Sequence, residues 1–194
     1  MSSVIQIPLR KWVFTTTLGW ILGIILIIAT STFLEFFGIT DMQLYIGLSM
    51  GIGIGFLQWI LLRKYLNIGK LYLLYSIIGL CLPYYIIDTI PTLNPSSVML
   101  LGSCVGGTFA AYLQSTTFPH KSLNTSKWVL FSGIAWILSS GLIQLITLTN
   151  ELKYFIPNVF VLAIWNLFLI LSGGPILGLL TGIALKYPAK IPQQ

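Results

Sequence analysis

The chain has 194 residues, of which 56% are hydrophobic and only 7% charged, with a formal net charge of +6. Ordinary soluble domains carry roughly 25% charged residues. So few charges, with a mean hydropathy of +0.93, exclude that class and predict one polytopic membrane domain over 1–194, with the lipid bilayer as its solvent.

Apolar runs of about 20 residues cross a hydrocarbon core roughly 30 Å thick, and six such runs are legible. The first, 12–34, follows Arg10 and Lys11. It is too long for the apolar core of a signal peptide and no A-x-A cleavage site follows it, so an uncleaved span is expected. After the turn residues "FFGITD" comes 42–63, which holds "GIGIGFLQWILLRK". The third run, 70–90, ends in "DTIPTLNPSS", and the fourth, 97–118, ends in "PHKSLNTS". The fifth, 127–149, is followed by "TNELKYFIPN", and the sixth, 158–186, contains "SGGP". Pro175 has no N–H and crowds the carbonyl four residues back, which predicts a kink there, with a true break as the alternative. Cys81 and Cys104 lie inside apolar runs and form no C-x-x-C motif; they are expected to be small apolar fillers.

An even number of spans places both termini on one side. The connections then sort the charges. Arg10, Lys11, Arg63, Lys64, Lys70, Lys121, Lys127, Lys186 and Lys190, nine of the ten basic residues, share that side, and only Lys153 falls opposite. Glu35, Asp41, Asp88 and Glu151 all fall with Lys153. Basic residues in short loops stay cytoplasmic, so both termini are expected there. A bacterial plasma membrane, or an internal membrane of similar topology, is the expected location. The positive charge then requires no nucleic-acid partner, and contacts anionic lipid headgroups at most.

The chain also resembles itself. "KWVFTTTLGW" at Lys11 returns as "KWVLFSGIAW" at Lys127, an offset of 116, so that Trp12 and Trp20 align with Trp128 and Trp136. "LYLLYSIIG" is a weaker copy, with Tyr72 in the place of Trp128. Gly51, Gly55, Gln58 and Arg63 shifted by 123 land on Gly174, Gly178, Thr181 and Lys186. Shifted by 56 they land on Gly107, Ala111, Gln114 and Pro119. The expected fold is therefore an all-α bundle of six transmembrane helices, built from three tandem two-helix hairpins at about 11–66, 70–122 and 127–188.

Small residues four apart line one stripe of a helix. Gly47, Gly51 and Gly55 form one stripe, Ser103, Gly107 and Ala111 a second, and Gly174, Gly178 and Gly182 a third. Their expected role is close helix packing. A phosphate-cradling loop needs a strand before its glycines and a helix after them, which these lack. The aromatics Trp12, Trp59, Tyr65, Tyr72 and Trp128 sit near the predicted interfaces and are read as interfacial anchors, with pigment or quinone stacking as the alternative.

No catalytic, metal or cofactor constellation emerges. His120 is the single histidine, and, Asp88 near the end of the third run aside, no acid lies towards mid-span, where a proton or ion pathway would place one. The candidate ligand-binding groups are uncharged. Gln58, Gln114 and Thr181 occupy equivalent places in the three units and converge if the hairpins surround a common axis. Gln144 and Asn166 are candidates for a second polar patch in the outer half. Gly173, Gly174 and Pro175 would join a site if the sixth helix breaks. Plain interhelical hydrogen bonding, worth about 0.6 kcal/mol per contact, is the competing reading.

Three two-helix units in six spans resemble the layout of mitochondrial carriers. That family's P-x-[DE]-x-x-[KR] motif is absent from every odd span, which excludes membership. Size and span number are also similar to the membrane-embedded substrate-binding subunits of vitamin transporters, with no residue motif behind the likeness. Two function classes follow: a non-catalytic protein that binds or transports a small neutral or lipophilic solute, or a structural partner that docks on other membrane proteins through its small-residue stripes. An interior pocket with convergent polar groups separates the first from the second.

Overall fold

The computed structural model describes residues 7–39, 43–119, 123–151 and 158–187. Asp41, His120, Lys121, Lys153 and Lys190, which bear on the charge pattern above, lie outside the described residues. Six α-helices follow in order: α1 (Leu9–Phe36), α2 (Leu44–Leu66), α3 (Leu71–Asp88), α4 (Pro95–Ser115), α5 (Thr125–Glu151) and α6 (Val159–Ala184). All six are long and apolar enough to cross a membrane, and their ends fall within a few residues of the expected spans. The chain thus has the make-up of an integral membrane protein.

Local chemistry sets several helix ends. Asn94 accepts a hydrogen bond from Ser97 N–H at 2.8 Å, with Pro95 as the first helical residue of α4. Asn158 caps α6 by accepting from Phe160 N–H at 3.0 Å. These side chains satisfy N–H groups that the first helical turn leaves without partners. Asn67 ends α2 in the left-handed conformation, at φ 52°, which asparagine tolerates better than most residues.

Each helix packs on its neighbours in the chain, and α1 returns to pack on α6, so the six close into a ring. Large apolar side chains such as Phe14, Ile28, Leu130, Phe160 and Phe168 are exposed around the outside, which suits hydrocarbon and not water. One end of the ring carries Arg63 and Lys64 in the last turn of α2, and here Trp12, Leu62, Tyr72, Phe118 and Trp128 form a buried cluster. A second cluster, with Trp20, Met50, Ile54, Leu80, Trp136 and Leu177, lies deeper along the axis.

The helices approach closely where glycines face a neighbour's backbone. A Cβ on Gly51 would lie 2.8 Å from Ile77 Cα and 2.9 Å from Ser76 O on α3. On Gly178 it would lie 2.9 Å from Val13 Cα on α1. Gly107 and Gly173 instead receive the indole rings of Trp136 and Trp20. Gly47 meets Leu80 and Tyr84, Gly55 meets Ser76, Gly174 meets Trp20 and Thr17, and Gly182 meets Leu9 and Trp12. Ser103 and Ala111 are buried, and the Ser103 hydroxyl lies 2.7 Å from that of Tyr84.

One expectation is corrected. Trp12, Tyr72 and Trp128 do not face the lipid interface as anchors: they are 0%, 0% and 1% exposed and fill the ring's interior. Gly182 leaves room for the Trp12 indole, and all three rings pack in one buried cluster with Leu62, Ala111, Phe118 and Ala184. Trp59 and Tyr65 stay near the periphery, where Arg63 lies over the Trp59 ring and Lys11 Nζ donates to Tyr65 OH. The alternative of a true break at Pro175 does not occur: α6 is helical through it. Neighbouring helices bond α6 on this stretch: Trp20 Nε1 donates to Ile170 O at 2.8 Å, and Ser139 Oγ donates to Gly173 O at 2.9 Å.

Candidate functional site

The helical period decides what points at the axis. On α1, α3 and α5 an aromatic residue is followed four positions later, one turn along the same face, by a small hydroxyl: Trp12 and Thr16, Tyr72 and Ser76, Trp128 and Ser132. On α2, α4 and α6 the residues facing them are Gln58, Gln114 and Thr181. All nine are buried.

Six of them, Gln58, Ser76, Gln114, Trp128, Ser132 and Thr181, line one interior chamber contributed by five helices. The remaining lining residues are buried apolar or small ones. The chamber offers about 20 Å³ to the centre of a water-sized sphere. Two aromatic pairs cross the ring: Trp12 meets Trp128 with centroids 6.1 Å apart, and Trp20 meets Trp136 at 5.9 Å. The aligned residues of the two "KW" segments therefore face each other across the interior.

A hydrogen-bond network runs through this layer. Gln58 Nε2 donates to Thr16 Oγ1 at 3.1 Å, and Tyr72 OH donates to Gln58 Oε1 at 2.9 Å. Gln58 thereby ties α2 to both neighbours. Gln114 Nε2 donates to Ser76 Oγ at 2.8 Å, and Ser76 Oγ donates to Tyr72 O at 2.8 Å. Trp12 Nε1 donates to Thr181 Oγ1 at 2.9 Å, closing α1 on α6, and Thr181 Oγ1 donates to Leu177 O. Two groups in the layer have no partner among the described residues: Trp128 Nε1 and Ser132 Oγ. A buried donor left unpaired costs roughly 1–3 kcal/mol, so this pair stands out against the satisfied groups around it.

The other candidates lie elsewhere. Gln144 Nε2 donates to Ser96 O, whereas Asn166 Oδ1 accepts from Thr149 Oγ1. No hydrogen bond joins Gln144 to Asn166 among the described residues, and neither lines the chamber. Gly173 and Gly174 pack under Trp20. Pro175 is exposed on the outer face, because two residues before the inward Leu177 is about 200° around a helix. The Gly173–Pro175 segment therefore lies outside the chamber wall.

Thr16, Ser76 and Ser132 were not singled out from the sequence. The signal was present: "KWVFTT", "LYLLYS" and "KWVLFS" each carry a hydroxyl four places after the aligned aromatic. Chemically, the layer supplies amides, hydroxyls and an indole N–H, all uncharged. Among the described residues no group of three His, Cys, Asp or Glu side chains could hold a metal ion. No protein-family model, curated protein or solved structure matches this chain.

Proposed function

We propose that this chain is a non-catalytic membrane protein that binds a small neutral solute inside its ring and passes it between the two sides. One observation carries the reading: Gln58, Gln114 and Thr181, from three alternate helices, reach the same buried chamber. Convergent polar groups in an apolar surround are what a solute site requires. The lining is uncharged, which suits a neutral guest, because an ion would lose its hydration with no partner of opposite charge. The small-residue stripes support this reading over docking on other membrane proteins, since their glycines already meet neighbouring helices of the same chain. The reading also includes a triplicated hairpin and cytoplasmic termini, supported by the aligned segments and by the sorting of basic residues.

The test is flux in liposomes. Purified protein should speed the entry of small neutral solutes such as glycerol or urea, and Gln58→Leu with Gln114→Leu should abolish the gain. If that pair does not fold, Gln114→Leu alone serves, since it strands fewer partners. Unchanged flux in a folded variant would remove the proposal.

A further inference from the structure

We infer that Trp128 and Ser132 hold one small neutral molecule by its acceptor oxygen. Water has this chemistry, and so does the hydroxyl or carbonyl end of a small polar solute such as urea or glycerol, of which the chamber, with room for little more than one water, would admit that end alone. Four observations lead there. Trp128 Nε1 is a donor only, so whatever meets it must accept. Trp128 and Ser132 are 1% and 3% exposed and have no partner among the described residues. Both residues line the chamber, so the two unpaired groups belong to side chains that border the same space. That space, about 20 Å³ for the centre of a water-sized sphere, exceeds the roughly 10–15 Å³ that one water needs.

A short side chain leaves the room. On α2 and α4 a glutamine amide donates to the hydroxyl of its own hairpin, Gln58 to Thr16 and Gln114 to Ser76. The aligned residue on α6 is Thr181, which has no amide and donates to Leu177 O instead. Ser132 is thus left for the occupant. The extension from water to a solute rests on the function proposed above; the water site does not.

The experiment uses full-length protein in lipid nanodiscs with ¹⁵N-labelled indoles. The Trp128 signal is assigned from Trp128→Phe or, if that variant does not fold, from the signal shifted by Ser132→Ala. The Trp128 indole proton should show a cross-peak to water, or shift on addition of urea or glycerol. Trp12 and Trp20, bonded to Thr181 Oγ1 and Ile170 O, should show neither. Thr181→Gln should fill the chamber and erase the Trp128 response; if it does not fold, Ser132→Ala should weaken that response. A water cross-peak with no response to either solute identifies the occupant as water and counts against solute binding. A Trp128 signal with neither response overturns the site, while flux through the same protein in liposomes would still stand as evidence for passage. A response that survives Thr181→Gln in folded protein also overturns it.

Discussion

α1 and α3 carry the same polar pair as α5, yet the three are treated differently. On α1, Trp12 donates to Thr181 and Thr16 accepts from Gln58. On α3, Tyr72 donates to Gln58, and Ser76 bonds both Gln114 and its own helix. On α5, Trp128 and Ser132 bond nothing among the described residues. The difference lies in the opposing helix and not in the pair itself. A glutamine reaches across to a hydroxyl; a threonine in its place is too short to do so. Near-repetition of a polar motif therefore produces closed layers where the partner is long, and an opening where it is short.

The strongest way to break this contrast is Gln58→Leu. It strands Tyr72 OH and removes the donor to Thr16, and should lower unfolding stability in detergent by about 2 kcal/mol, as expected for a buried donor left unpaired. Gln114→Leu removes one donor, but Ser76 keeps its bond to Tyr72 O, so a loss of about 1 kcal/mol is expected in the same unfolding measurement. Thr181→Gln sharpens the contrast from the other direction. Its amide would donate to Ser132 and its carbonyl would accept from Trp12, copying Gln58. Stability should be kept or rise by about 0.6 kcal/mol, the mean for an interhelical contact, while solute flux falls. Ser132→Ala should change unfolding least, by less than about 0.6 kcal/mol, because the hydroxyl has no protein partner to lose. A large effect there would mean that α5 is not the open member of the three.

Much of the fold was legible because a bilayer leaves few options. Backbone groups in lipid must pair within their own segment, so apolar runs become helices, and turn residues such as Asn94–Pro95 and Asn67 mark their ends. The meeting of Gln58, Gln114 and Thr181 followed from matching their positions along the chain. The inward turn of Trp12, Tyr72 and Trp128 did not. A tryptophan beside a lysine near a helix end has the same local sequence whether it faces lipid or a ring of small residues, and only the neighbouring helices distinguish the two. At Pro175 the choice between a kink and a break was open for a related reason. Its missing N–H disturbs the backbone wherever it sits, but whether that disturbance faces the interior depends on rotation about the helix, which Trp20 and Ser139 set from outside α6. The unpartnered state of Ser132 was hidden too, since it depends on the length of a side chain on another helix.

The contact of α1 with α6 has a consequence for biogenesis. During synthesis, the first five segments can insert as an incomplete palisade whose seam stays open to lipid. Trp12 must then wait for Thr181, the acceptor supplied only when the sixth segment arrives. Truncation before Val159 should therefore leave a nascent intermediate with an unsealed edge, the kind of surface that quality-control proteases and insertion chaperones engage.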